Sequence, residues 1–114
     1  MAGIEIGKTR IGDVVDANAR ELTDHIALAY YEYGFEMTFP QFRDVCNKVA
    51  KGLMALGLQR GDHLAFWSHN LPEWVYTQFG SAKMGAVMVT VNTNFRAFEL
   101  EYLLKQSEAT TLIL

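Results

Sequence analysis

Gly61-Asp62-His63-Leu64-Ala65-Phe66-Trp67, Gly85-Ala86-Val87-Met88-Val89-Thr90-Val91-Asn92 and Thr111-Leu112-Ile113-Leu114 are three short apolar runs, separated by two segments of helical periodicity. Such runs, bounded by turn residues and rich in branched side chains, read as buried strands. The expected strands are His63 to Ser68, Ala86 to Val91 and Thr110 to Leu114, the middle one apolar enough to be covered on both faces. Asn70-Leu71-Pro72-Glu73 starts the first connecting helix, with Pro72 and Glu73 suited to its first turn. That helix runs to about Met84 with Val75, Phe79 and Ala82 inward, and Gly85 ends it. The second covers about Ala97 to Gln106 with Leu100, Leu103 and Leu104 inward. Parallel strands joined by helices cross over right-handedly in nearly all known cases, so three of them make half of a doubly wound sheet. Closing on a core strand leads us to expect a piece of something larger.

Upstream of this unit, Thr9 to about Arg20 reads as a short helix with Ile11, Val14 and Val15 on one face. His25 to Tyr33 alternates like a strand, Gly34 breaks it, and Glu36-Met37-Thr38 returns as a hairpin arm. Thr38-Phe39-Pro40-Gln41 is a helix start: Thr38 and Gln41 are spaced for a capping box, Met37 and Phe42 for a hydrophobic staple. Phe42, Val45, Cys46, Val49, Leu53 and Leu56 then form an apolar stripe, and Gly57 supplies a left-handed stop. The fold class is therefore α/β: an incomplete doubly wound, mostly parallel sheet (βαβαβ) preceded by a helix, a strand or hairpin and a capped amphipathic helix.

The chain has 114 residues, half of them hydrophobic, and a net charge of −3. One domain's worth of core is available, and the acidic balance disfavours nucleic acid and anionic membrane surfaces as partners. Cys46 is the only cysteine, which forbids an internal disulfide or a cysteine zinc site and fits a reducing compartment. Met1 to Ile6 lacks the pattern of a signal peptide, and no apolar run approaches the roughly 20 residues needed to span a bilayer. The expectation is a soluble cytoplasmic protein.

Ligands of open α/β sheets sit beyond the carboxyl ends of the strands. There the chain carries Ser68-His69-Asn70 and Asn92-Thr93-Asn94. His69 could serve in proton transfer, but spacing assigns it no Ser, Cys or carboxylate partner, and a solvent-facing loop histidine explains it better. Asn70 and Asn92 read as turn and cap residues. Cys46, on its apolar stripe, reads as a buried structural thiol. Tyr30, Tyr31 and Tyr33 read as sheet packing rather than a stacking platform. Arg60-Gly61-Asp62 reads as a turn rather than an adhesion signal. Gly80 and Gly85 read as tight packing and a helix stop, because glycines inside and at the end of a helix offer no amino-terminal amides to a phosphate. His25, His63 and His69 lack metal-ligand spacing. Residues alone supply no catalytic constellation.

The order of these pieces resembles the N-terminal region of the adenylate-forming enzymes, the acyl-CoA synthetase and luciferase superfamily. The matching segments are Thr38-Phe39-Pro40-Gln41-Phe42, Leu53-Met54-Ala55-Leu56-Gly57-Leu58, Arg60-Gly61-Asp62-His63-Leu64-Ala65, and Asn70 with Glu73-Trp74-Val75. Ala82-Lys83-Met84-Gly85-Ala86-Val87-Met88-Val89-Thr90-Val91-Asn92 follows, then Glu99-Leu100, Leu104, Ser107 and Ala109 in register. Each piece is generic, but the ordered set is specific and covers nearly the whole chain. Asn92-Thr93-Asn94-Phe95-Arg96-Ala97 before Glu99-Leu100 is most similar to fatty-acyl-CoA synthetases. Thr93 stands where many members have Pro, and Leu64 where Val is usual; neither bears on chemistry.

The resemblance implies a two-step ligase. A carboxylic acid, most naturally a fatty acid, would react with ATP and Mg²⁺ to give an acyl-adenylate, and CoA would then displace AMP. It also implies that residues 1–114 are the N-terminal segment of the large N-terminal domain, with the phosphate loop, nucleotide contacts and C-terminal Lys downstream. No catalytic, cofactor-binding or metal residue is carried over to this segment, and the isolated chain is expected to be inactive, without a cofactor of its own, and to self-associate. An independent small α/β binding domain and an adenylate-forming enzyme for aryl acids, amino acids or luciferin-type acids are the alternatives.

Overall fold

The computed structural model describes residues 9–114, so the reading of Met1 to Ile6 lies outside the described residues. In chain order the elements are α1 (Ile11–Glu21), β1 (Ile26–Tyr30), β2 (Phe35–Thr38), α2 (Phe39–Ala55), β3 (His63–Phe66), α3 (Pro72–Met84), β4 (Val87–Thr90), α4 (Ala97–Ser107) and β5 (Ala109–Ile113). β1 and β2 form an antiparallel hairpin, and β3, β4 and β5 a parallel sheet in the order β4-β3-β5. The fold is α/β, as the apolar runs indicate.

α2 starts where its residues demand. The Gln41 N–H donates to Thr38 Oγ1 at 3.3 Å, and the Thr38 N–H donates to Gln41 Oε1 at 2.9 Å. Pro40 sits in the first turn, where no N–H is needed. Met37 and Phe42 share one buried cluster, as a staple requires. At the other end, Gly57 takes φ +102°, the Gly57 N–H donates to Met54 O and the Leu58 N–H to Leu53 O. That pair of bonds is a Schellman motif, and its hydrophobic contact is present because Leu53 and Leu58 belong to one cluster.

α1, α2 and α3 pack together, and β3, central in the sheet, is the most protected strand: Leu64 and Ala65 are fully buried. Two consecutive crossovers run in opposite directions, from β3 out to β4 and back past β3 to β5. Right-handed connections then carry α3 and α4 to opposite faces. Accordingly α4 makes no extensive contact with the α1–α2–α3 layer.

Several sequence expectations are corrected. The first strand ends at Tyr30, and Tyr31–Tyr33 form one 3₁₀ turn closed by Gly34 at φ +60°. Tyr31 and Tyr33 are consequently exposed, not packed on a sheet face. Ile11 is exposed, and α1 buries Gly12, Val15 and Ala19 instead. The reason is close approach: a Cβ on Gly12 would lie 2.9 Å from Lys83 Cα, so the small-residue face turns toward α3. Leu56, past the last turn of α2, is exposed, while Ala50 completes the buried stripe. β4 is not covered on both faces, since Val87 and Thr90 are exposed at an edge of the described sheet. α4 buries no residue fully; Leu100, Leu103 and Leu104 are half-buried.

Candidate functional site

The carboxyl rim of the sheet is built by the loops after β3 and β4. The Trp67 N–H donates to Ile113 O at 2.9 Å and the Val91 N–H to Phe66 O at 3.2 Å, so the end of β3 is tied to both neighbours. Phe66 meets Trp74 edge to face, ring centroids 6.1 Å apart, which fixes where the loop between them must turn. The local order second-first-third is that of flavodoxin-like sheets, in which the ligand crevice opens beside the first strand. Here the first strand is β3, and the loop that follows it, Trp67 to Leu71, stands at that rim.

Within that loop Ser68 is half-buried, and His69 and Asn70 are exposed. Asn70 does not cap α3: the N-cap is Leu71, with no side-chain bond. Instead Asn70 Oδ1 accepts from the Tyr30 hydroxyl at 2.7 Å, across 40 positions of sequence. Tyr33 stacks on Tyr30 with centroids 6.2 Å apart. Between hairpin and helix lies a cleft of about 280 Å³, lined by Tyr33, Phe35, Leu71, Pro72, Glu73 and Tyr76. Burial, and then the Glu73 carboxylate, raise the Tyr76 phenol above its ordinary value. The hydroxyl therefore stays protonated as a donor.

The second loop is a local turn. Asn92 Oδ1 accepts from the Asn94 N–H at 2.9 Å and Asn92 O from the Phe95 N–H at 3.0 Å, as its turn role requires. Beside it Phe95, Phe98, Tyr102 and Leu103 line an apolar groove of about 520 Å³ along α4.

The three histidines do not converge. His63 Nδ1 is bonded to Ser107 O at the opposite end of β3, and His25 lies in the turn before β1. Among the described residues no group of three or more His, Cys, Asp or Glu could hold a metal ion. Cys46 is fully buried and its thiol is pushed up to about 12, first by desolvation, with Asp16 reinforcing and Lys83 opposing. It is an inert core thiol, as its place on the stripe indicates. No helix among the described residues is long and apolar enough to cross a membrane.

A parallel sheet of this order, with polar loops at the carboxyl ends of its strands, has the architecture of half an open α/β domain. Residues 15–114 match the family model described as AMP-binding enzyme, and the chain belongs to that family. It is 46% identical over 110 residues to YngI of Bacillus subtilis, assigned by name to the acyl-CoA synthetases, covering 96% of this chain and 20% of that protein. It is 34% identical over 111 residues to the medium-chain acyl-CoA ligase ACSF2, mitochondrial, of Bos taurus, covering 97% and 18%. The N-terminal domain of Mycobacterium tuberculosis FACL13 superposes with TM-score 0.87 at 30% identity over 90% of this chain and 26% of that one. The anthranilate CoA ligase AuaEII, solved with anthranoyl-AMP, gives 0.82 at 31% over 91% and 20%. The chain thus spans about a fifth of the length of the curated relatives it matches.

Proposed function

We propose that the chain is the N-terminal segment of an ATP-dependent acyl-CoA synthetase. Its carboxylic acid substrate, a fatty acid on this reading, attacks the α-phosphate of ATP. Pyrophosphate leaves and an acyl-adenylate forms; the CoA thiol then displaces AMP to give the thioester. The observation that carries the proposal is the family match over residues 15–114, together with relatives named as acyl-CoA synthetases that align with nearly the whole chain.

The segment contributes scaffold: it positions two polar loops at the carboxyl rim. The residues that handle phosphate, nucleotide and acyl group lie outside it on this reading, and the 114-residue chain alone is inactive. ATP–pyrophosphate exchange by the intact protein against a panel of saturated fatty acids tests the reaction, followed by CoA-dependent thioester formation. No exchange with any fatty acid would overturn it, and exchange by residues 1–114 alone would overturn the inactivity.

An aryl acid is the second reading, favoured by the likeness to the anthranilate CoA ligase at the same level of identity as to FACL13. Benzoate-type acids in the same panel separate the two.

A further inference from the structure

The Tyr30–Asn70 bond ties two elements that no backbone ladder connects. Tyr30 ends β1, in a hairpin separate from the parallel sheet. Asn70 stands in the loop that leaves the central strand at the carboxyl rim. The two ends of that loop are held: Trp67 bonds to β5, and the Trp74 N–H donates to Leu71 O at 3.0 Å in the first turn of α3. Among the described residues, Asn70 is the loop residue whose side chain hydrogen-bonds to another element, accepting from the Tyr30 hydroxyl at 2.7 Å. The tyrosine is itself fixed, because its ring is half-buried and stacked on Tyr33, and Gly34 at φ +60° closes the turn that brings Tyr33 back.

We propose that Tyr30 is a positioning residue for substrate binding. By holding Asn70, it sets the course of Ser68-His69-Asn70 as one wall of the crevice beyond β3. It touches no reacting atom on this account. The proposal rests on the synthetase reading for what the crevice binds, and on the geometry alone for the brace. A loop released from one net hydrogen bond samples other courses more often, so substrate binding weakens while the chemical groups, elsewhere, are unchanged. The expected signature is a rise in KM with kcat preserved. One neutral hydrogen bond corresponds to a change of about two- to tenfold.

The experiment uses the intact protein with Tyr30→Phe, which keeps the ring and removes only the hydroxyl. Asn70→Leu removes the acceptor and Asn70→Asp keeps one. Tyr31→Phe, at a residue 88% exposed, is the control. Hydrogen exchange over residues 68–71 should quicken about two- to tenfold in Tyr30→Phe and Asn70→Leu and stay near wild type in the other two. The KM for acid, ATP or CoA should rise over the same range in the same two variants, and the double variant should be no worse than either. Unchanged exchange would overturn the brace, whatever the enzyme does. Quicker exchange with all three KM values unchanged, or a fall in kcat alone, would overturn its role in binding. A wild-type protein that activates no carboxylic acid would overturn the synthetase reading instead, leaving the exchange data to decide the brace.

Discussion

Gly80 of α3 lies so close to Val49 of α2 that a Cβ on the glycine would stand 2.8 Å from Val49 Cγ1 and 3.0 Å from Cys46 O. The two helices make the principal helix–helix interface of the chain, and the crossing is set by this absent side chain. Gly80→Ala gains helix propensity of under about 1 kcal/mol but must force the backbones apart, an overpacking cost of about 1–3 kcal/mol. The net expected change in urea unfolding is a loss. Val49→Ala in the same chain should return part of it, because it removes the methyl groups met first. Simple additivity of the two substitutions would show that they do not meet.

The reciprocal bonds of Thr38 and Gln41 make a second local prediction. Thr38→Ala leaves the Gln41 N–H without its side-chain acceptor and should cost ~1 kcal/mol. Gln41→Ala should cost less, since the Thr38 N–H it frees stands at the exposed edge of the hairpin. A thermal melt of Thr38→Ala that matches the wild type would count against the cap.

These caps were legible in sequence because they are local: Thr38 and Gln41 are three positions apart, and Gly57 follows its own helix. The βαβαβ order was legible for the same reason, each strand and helix announcing itself by its own periodicity. What was not legible depends on contacts between distant segments. Which face of α1 is buried follows from the approach of Gly12 to Lys83, and Ile11 loses to it despite being the larger hydrophobe. The tyrosine run reads as strand by alternation, yet Gly34 turns Tyr31–Tyr33 out of the sheet. At the rim, the positions of Ser68 to Asn70 and Asn92 to Asn94 follow from the strand ends. The bond that holds Asn70 comes from Tyr30, 40 positions away, and no pattern within either segment signals it.

Cys46 gives a pH prediction with a definite sign. Its thiol is raised from 9.0 to about 12 in the folded chain, chiefly by desolvation. Between those values the folded state keeps a proton that the unfolded state has released. The contribution is therefore fully present below the unfolded value and is lost as pH rises through the folded one. In that window its limiting slope is about 1.4 kcal/mol per pH unit. Cys46→Ala should be less stable at pH 7 because of the cavity, and its stability should fall less steeply between pH 9 and 11. Parallel pH profiles for the two proteins would contradict the burial of an intact thiol.

Exposed apolar surface on α4 and β4 leads to the last prediction. Phe98 is 80% exposed and Tyr102 65%, and both line the largely apolar groove along α4; Val87, on β4, is 47% exposed. α4 buries no residue fully, so its half-buried Leu100, Leu103 and Leu104 leave the outer face without a partner among the described residues. β4 adds an edge with unpaired backbone groups, the usual template for strand pairing. The 114-residue chain is expected to associate with itself, and light scattering should show a mass that grows across micromolar concentrations. Phe98→Ser with Tyr102→Ser should restore a monomer if the helix face drives association. If the double variant still associates, the two edges of the described sheet, β4 and β5, remain, and Val87→Lys should abolish association that runs through β4. A clean monomer for the unmodified chain over the whole range would refute association by the helix face and by either edge.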